Sequence, residues 1–93
     1  MSDERLIKEF TVLNAHGLHA RSGAMLVKAA NRYESEVLIE KDGNAVNGKS
    51  IMGVLMLAAG KGSRLIVTVE GPDSRDAMAA LSELFEAGFH EAP

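Results

Sequence analysis

His19 has neighbours of the kind that phosphoryl-transfer chemistry uses. It follows Gly17 closely and lies where a predicted strand gives way to a predicted helix. The first N–H groups of a helix have no partner within it, and the helix dipole is positive at that end. This setting disfavours a protonated imidazole, keeps a nucleophilic lone pair near neutral pH and offers donors to a phosphoryl group. Arg21 adds a planar cation suited to phosphate oxygens, so the two residues predict a phosphoryl-accepting site.

Ser50 has two interpretations, and residue types alone leave both open. Serine is a preferred N-cap, so its hydroxyl is suited to cap a predicted helix that starts at Ile51. It is alternatively a phosphorylation site. A phosphate there would suit the helix dipole and add nearly two negative charges to the surrounding surface. The other two histidines, His16 and His90, are interpreted as a turn residue and a tail residue.

The stretch from Gly43 to Ser50 matches the phosphate-loop pattern G-x-x-x-x-G-K-[ST] letter for letter. Such a loop requires a parallel sheet with both faces covered, for which this chain is short. Asp42-Gly43-Asn44 already makes sense as a hairpin turn, because Gly and Asn accept positive φ readily. Glu70 is the only acidic residue that could follow a strand as a magnesium ligand. Nucleotide binding is therefore the less favoured alternative.

Hydrophobic periodicity predicts the elements that position these residues. We expect strands over 6–13, 36–40 and 64–70, a return strand beginning at 45–46, helices over 20–33 and 51–59, and a last helix that follows Asp73 and stops at Gly88. Asp73 and Asp76 resemble a capping box at the start of that helix. The order βαββαβα predicts an α+β fold, an open-faced sandwich in which three helices cover one face of a four-stranded antiparallel sheet.

The helix predicted over 51–59 is apolar nearly all round, which indicates deep burial or a docking patch. The side chains expected to face the sheet are Val54, Leu57 and Ala58. The side chains expected on an outer or lateral face are Ile51, Met52 and Leu55. We favour docking for this outer group.

Composition excludes several classes of function. The 93 residues predict one domain, 1–93, and their net charge of −3, 4% aromatic content and lack of Trp argue against nucleic-acid binding. No Cys and no cluster of metal ligands are present in the sequence, so we expect no metal and no cofactor. No signal peptide or membrane-spanning run is evident, which predicts a cytoplasmic monomer without membrane insertion. Residues 70–93 hold one base and six acids, the pattern of a solvated helix face.

Two segments resemble the histidine-containing phosphocarrier (HPr) family of the bacterial phosphoenolpyruvate:phosphotransferase system. They are Asn14-Ala15-His16-Gly17-Leu18-His19-Ala20-Arg21 and Gly48-Lys49-Ser50-Ile51-Met52-Gly53-Val54. The likeness extends over residues 5–89 and includes the element order. The segment 55–62 and the closing 84–89 look more like the nitrogen-related branch of the family, NPr.

The resemblance implies a phosphocarrier that is not an enzyme on its own. His19 would accept a phosphoryl group at Nδ1 from phosphorylated enzyme I and pass it to an enzyme IIA, in sugar uptake or in regulation. Arg21 would steady the phosphoryl group, and Ser50 would match the serine that an HPr kinase modifies in some bacteria. The docking residues for both enzymes would be Ala20, Lys28, Ile51, Met52 and Leu55.

One residue departs from the family pattern. The family has Pro after His-Ala-Arg, whereas this chain has Ser22 followed by Gly23. Proline presets φ in the first turn of a helix, and Gly costs about 1 kcal/mol relative to Ala inside one. We therefore expect a looser start of the first helix, with phosphorylation of His19 preserved in Ser22→Pro. The remaining alternative is a small ligand-binding or interaction domain in which His19 is incidental.

Overall fold

Four strands form one antiparallel sheet in the spatial order β1-β4-β2-β3. The computed structural model describes residues 3–93. Its elements are β1 (Glu4–Thr11), α1 (Ala20–Ala30), β2 (Glu36–Lys41), β3 (Asn44–Asn47), α2 (Ile51–Met56), β4 (Arg64–Gly71), α3 (Ser74–Glu86) and a 3₁₀ turn (Gly88–His90). The order and the helix-covered sheet confirm the predicted α+β sandwich.

The alternation of side chains divides the sheet into a core face and an open face. The inward-facing side chains of the central strands are buried, as predicted: Val37, Ile39, Leu65, Val67 and Val69. The helices pack over this face and complete the core. The large apolar side chains exposed on the open face are Ile7, Leu38 and Ile66.

Three phenylalanines join the sheet, the last helix and the chain end. The ring of Phe85 on α3 stacks on Phe10 of β1 with centroids 4.6 Å apart, and its edge meets Phe89 at 5.2 Å. Phe85 and Phe89 are almost completely buried. Because offset-stacked and edge-to-face pairs are favourable arrangements of aromatic rings, these contacts anchor the chain beyond α3 in the core.

The first helix ends at Ala30, not at Tyr33 as the periodicity suggested. Asn31 caps it, since its Nδ2 donates to the carbonyl of Val27 at 2.9 Å and to that of Lys49 at 3.1 Å. The next N–H groups, of Arg32 and Tyr33, bond three residues back, so the end of the helix tightens into a turn. These bonds also tie the end of α1 to the chain that precedes α2.

The second helix ends at Met56 instead of continuing to residue 59. The N–H groups of Leu57 and Ala58 bond three residues back, and Ala58 has a left-handed φ of 50°. Val54 and Leu57 are buried as predicted, but the expectation that Ala58 faces the sheet is wrong, because it is exposed and Ala59 is buried instead. A helical periodicity does not hold past the residue at which the backbone leaves the helix.

Asp73 precedes α3 but does not form the predicted capping box with Asp76. Its carboxylate accepts hydrogen bonds from Ser35 Oγ at 2.6 Å and from the N–H groups of Ser35 and Glu34, each at 2.9 Å. These donors hold the pKa of the Asp73 carboxyl below its ordinary value. The side chain therefore joins two loops instead of capping its own helix.

Candidate functional site

His19 is the N-cap residue of α1, which confirms its predicted place at the start of a helix. Its backbone is extended, and its carbonyl accepts the N–H of Gly23 at 2.7 Å. The side chain is 38% exposed, so the ring reaches solvent while one edge packs against the protein. The first-turn donors of the helix follow directly, with Ala20 and Arg21 both exposed.

Ser22 ties the start of α1 together. Its buried hydroxyl accepts the His19 N–H at 3.1 Å and donates to the carbonyl of Gly17 at 2.7 Å. The expectation of a looser helix start took account of the missing proline and of Gly23, but not of the Ser22 hydroxyl. The structure corrects it, because the serine supplies two bonds that a proline ring cannot make.

Glu91 is the hydrogen-bond partner of the His19 ring. Its carboxylate oxygens lie 2.9 Å and 3.0 Å from Nε2 of His19. The Glu91 side chain is only 8% exposed, so the prediction that all acidic residues near the chain end form a solvated face is wrong for this one. Nδ1 is the ring nitrogen left outside the contact with Glu91.

A short segment after α3, the C-terminal strap (Gly88–Ala92), carries Glu91 to His19. Gly88, Phe89 and His90 all have positive φ, at 57°, 54° and 57°. Consecutive left-handed residues are costly for side chains other than Gly, and here the burial of Phe89 holds them. The N–H of Ala15 donates to the carbonyl of Ala92 at 2.9 Å and fixes the end of the strap.

Asn14 is completely buried beneath the strap and orients Glu91. Its Nδ2 donates to Glu91 Oε1 and to the carbonyl of Gly17, both at 2.8 Å. Its Oδ1 has no hydrogen-bond partner within residues 3–93. The amide nitrogen of Asn14 thus donates to both the Glu91 carboxylate and the Gly17 carbonyl, and these two bonds set the orientation of the Asn14 side chain.

The surroundings of Glu91 favour its ionised form. Hydrogen bonds from His19 and then Asn14 hold the pKa of the Glu91 carboxyl below its ordinary value, and the positive charge of Arg21 acts in the same direction. The ring of His16 meets that of His19 edge-on, with centroids 5.9 Å apart. The site thus places an ionised carboxylate on one side of the imidazole and a helix N-terminus with an arginine beside it.

Ser50 is the N-cap of α2, as one of its two interpretations predicted. Its hydroxyl accepts the N–H of Gly53 at 3.2 Å, and its carbonyl accepts that of Val54 at 3.0 Å. The residue is partly exposed. The capping interpretation is thus confirmed, and the modification of Ser50 stays a prediction.

The outer side of α2 carries a group of apolar side chains. Ile51 is 37% exposed, Met52 67% and Met56 77%, while Leu55 is half-buried. Ile51 and Leu55 approach Gly23 so closely that an added Cβ there would lie 3.4 Å and 3.3 Å from their terminal methyl groups. The missing side chain of Gly23 lets α2 pack beside α1, one turn from His19.

Lys28 lies apart from this apolar group. It is exposed in the last turn of α1 and lines a cavity of about 240 Å³ between α1 and α3, together with Met25 and Arg32. Of the predicted docking residues, the structure therefore places Ile51, Met52 and Leu55 on one side of α1 and Lys28 on another.

The phosphate-loop alternative does not fit the structure. Asp42 and Gly43, at φ 52° and 84°, form the hairpin turn between β2 and β3, and four further residues of the pattern are β3 itself. Lys49 donates from Nζ to the carbonyl of Tyr33 at 2.7 Å. The lysine is thus bonded to backbone, and the pattern is a coincidence of spacing.

Sequence reasoning did not find Glu91 as the partner of the His19 ring, nor Asn14 as the residue that holds Glu91. Asn14 was part of the quoted family segment, but its role in holding a carboxylate needs a partner 77 residues away. Glu91 had no local signal apart from its charge. The apolar Phe89, two residues before Glu91, was the one feature of the sequence that suits a segment returning to the core, and the structure buries it there.

Among residues 3–93, no three His, Cys, Asp or Glu side chains are grouped so as to bind a metal ion. Over the same residues, no helix has the length and apolar character needed to span a membrane.

Comparison with known proteins bears on this site. Residues 6–87 match the family model PTS-HPr, described as the PTS HPr component phosphorylation site. A phosphocarrier protein HPr of Treponema pallidum is 46% identical over 86 residues, 92% of this chain and 98% of that protein. One from Xylella fastidiosa (strain Temecula1) is 48% identical over 83 residues, 89% and 93% of the two chains. The crystal structure of an HPr from Bacillus anthracis superposes with a TM-score of 0.83 at 43% identity, covering 87% of this chain and 96% of that one.

Proposed function

The chain belongs to the HPr family of the phosphoenolpyruvate:phosphotransferase system, and we propose that it accepts a phosphoryl group on His19 from phosphorylated enzyme I. It passes the group to a histidine of an enzyme IIA in the cytoplasm. The chain is a phosphocarrier, and residues 1–93 are proposed to form a single carrier domain. The assignment to the NPr branch stays a prediction.

The observation that carries this proposal is the placement of His19. Its partly exposed ring is at the start of α1, with Nε2 held by Glu91 and Nδ1 outside that contact. A nucleophile needs an available lone pair and an approach from solvent, and Nδ1 meets the first condition when Nε2 carries the ring proton. His16 and His90 lack a bonded carboxylate within residues 3–93.

Stabilisation of the bound phosphoryl group falls to Arg21 and the first turn of α1. A phosphoryl group carries close to two negative charges near neutral pH and has three acceptor oxygens. The helix N-terminus offers backbone donors and a positive dipole end, and Arg21 offers a guanidinium that reaches solvent. The partner enzymes supply the rest of the reaction site.

We propose that the docking surface for both partners centres on Ala20, Ile51, Met52 and Leu55. The exposed Met52 is flexible and polarisable, which suits a surface that must fit two different enzymes. Lys28, on the other side of α1, is an outlying charged contact for acidic groups of a partner.

Ser50 is proposed as a regulatory site for an HPr kinase. Its hydroxyl caps α2 immediately before the exposed Ile51 and Met52. A phosphate at this position would place nearly two negative charges beside an apolar docking surface and weaken docking there. Regulation thus needs no change in the reactive histidine.

The carrier role is tested by the intact mass of the protein after incubation with phosphoenolpyruvate and cognate enzyme I. We expect a gain of about 80 Da, one phosphate, that is lost on brief acid treatment but stable in base. His19→Ala is expected to show no gain, whereas the matched control His16→Ala keeps it. A wild-type protein that gains no mass would exclude the carrier role. An acid-stable gain that needs ATP and a kinase would instead identify Ser50 as the modified residue.

A further inference from the structure

We propose that Glu91 is a positioning residue for phosphoryl transfer: it fixes the His19 ring in the tautomer with the proton on Nε2, so that Nδ1 presents the nucleophilic lone pair. The proposal extends the phosphocarrier role of His19 and rests on it. It assigns to the C-terminal strap a function in the reaction that no motif in the strap indicates.

The contact itself determines the tautomer. An ionised carboxylate accepts hydrogen bonds and donates none. Both oxygens of Glu91 lie within 3.0 Å of Nε2, so Nε2 is the donor and carries the ring proton. In a neutral imidazole the other nitrogen then holds the lone pair.

The neighbours of Glu91 keep its carboxylate in place. Asn14 Nδ2 donates to Oε1, while the bond from Ala15 to Ala92 pins the chain one residue further on. The carboxylate is nearly buried, and its partner ring stays partly exposed. A buried carboxylate on a fixed backbone can orient an imidazole. Carboxylates do the same in metal sites, where they accept the N–H of the ring nitrogen that does not bind the metal.

The arrangement also suits the charge that develops in the reaction. Nδ1 gives its electron pair to phosphorus, the bond between phosphorus and the donor group of enzyme I breaks, and that electron pair stays on the donor. The His19 ring thereby gains positive charge, shared with the Nε2–H that faces Glu91. The ionised carboxylate stabilises this positive charge, and the proton stays on Nε2 because hydrogen bonds from His19 and Asn14 hold the pKa of the Glu91 carboxyl below its ordinary value.

Glu91→Gln tests the proposal with little change of shape. The amide oxygen of the new side chain accepts from Asn14, so its NH₂ group faces Nε2 and favours the proton on Nδ1 instead. Long-range ¹H–¹⁵N spectra of the His19 ring report the tautomer without any enzyme I present. Single-turnover phosphorylation by phosphorylated enzyme I reports the rate.

We expect the wild-type ring to carry its proton on Nε2 and the Glu91→Gln ring to carry it on Nδ1. The phosphorylation rate should fall roughly ten- to hundred-fold, the usual effect of losing the outer partner of a functional histidine. Glu91→Ala removes the acceptor altogether, and we expect mixed tautomers with a similar fall. Glu83→Gln, an exposed carboxylate on α3, is the matched control and should change neither readout.

Either of two results would overturn the proposal: an Nε2-protonated ring in Glu91→Gln, or a phosphorylation rate in both variants within about twofold of the Glu83→Gln control. The spectra keep this test separate from the carrier role. If wild-type protein fails to accept phosphate, the carrier role and this proposal fall together. If it accepts phosphate and Glu91→Gln does so equally fast, only the role of Glu91 fails.

Discussion

Nε2 of His19 lies 2.9 Å from Oε2 of Glu91, although 72 residues separate them in the chain. The first residue begins α1 and the second follows the last helix, so the contact exists only when both ends of the fold are in place. Asn14 bonds to the same carboxylate from the loop after β1. Three chain segments therefore meet at His19, and one of them lies far from any recognisable motif.

Ser22→Ala should destabilise the protein by about 1–3 kcal/mol, because the partly buried His19 N–H loses its acceptor, the buried Ser22 hydroxyl. Urea unfolding measures this loss, with Ser82→Ala as the control, since Ser82 accepts one long bond of 3.4 Å from Lys8.

Ser22→Pro is expected to keep phosphorylation of His19, because proline is tolerated in the first turn of a helix. Loss of phosphoryl acceptance in Ser22→Pro would show that the serine hydroxyl itself is needed.

Gly17→Ala should be strongly destabilising. Gly17 has a φ of 64°, and an added Cβ would overlap the carbonyl oxygen of Ala59. The left-handed backbone alone costs about 1–3 kcal/mol for a residue with a side chain. Thermal or urea unfolding should show the loss, together with slower phosphorylation of the nearby His19.

Gly60→Ala is the control for that change. Gly60 is not among the positive-φ residues and has no atom within 4 Å of an added Cβ. We expect a stabilisation of no more than about 1 kcal/mol, from reduced freedom of the unfolded chain. Equal losses in the two variants would contradict the proposed clash at Gly17.

Asp73→Asn should alter the acid dependence of stability. Hydrogen bonds from Ser35 and Glu34 lower the pKa of Asp73 from its ordinary value of 3.8. A lowered folded pKa contributes stability that is fully present above the ordinary value and is lost as the pH falls through the folded one. The variant should therefore be less stable near neutral pH and lose less stability on acidification below that value.

Unfolding by urea at a series of pH values measures this difference. Asp76→Asn is the control, because Asp76 is an exposed carboxylate in the first turn of α3. A pH profile for Asp73→Asn parallel to that of the wild type would mean that the bonds to Ser35 and Glu34 do not favour the ionised form.

Phe89→Ala should cost about 3–5 kcal/mol, the usual loss for a fully buried phenylalanine. It should also release the C-terminal strap, since the contact with Phe85 holds the left-handed turn before Glu91. Urea unfolding of the variant and the wild type measures the loss of stability. The long-range ¹H–¹⁵N spectra of the His19 ring report the release of the strap. Ile7→Ala, 57% exposed on the open face of the sheet, should change stability by only about 0.5 kcal/mol.

Local signals in the sequence determined most of the fold and the place of His19 at the start of a helix. Alternation along β4, the Asp42-Gly43 turn and the position of His19 before α1 each depend on a few neighbouring residues. Backbone preference and the period of apolar side chains act over that range. Where tertiary contacts intervened, the predictions failed. Asp73 bonds to Ser35 instead of forming a capping box, and α2 ends in a turn at Ala58 instead of continuing to residue 59.

Only the tertiary structure decided how His19 is held. Glu91 meets its ring, and Asn14 meets Glu91, because the core places α3 across the sheet and the burial of Phe89 folds the strap back over the first loop. A contact between residues 72 positions apart depends on the packing of every element between them, and no short pattern encodes it. The sequence singled out His19 as the candidate nucleophile, and the packed core decided which carboxylate its ring meets.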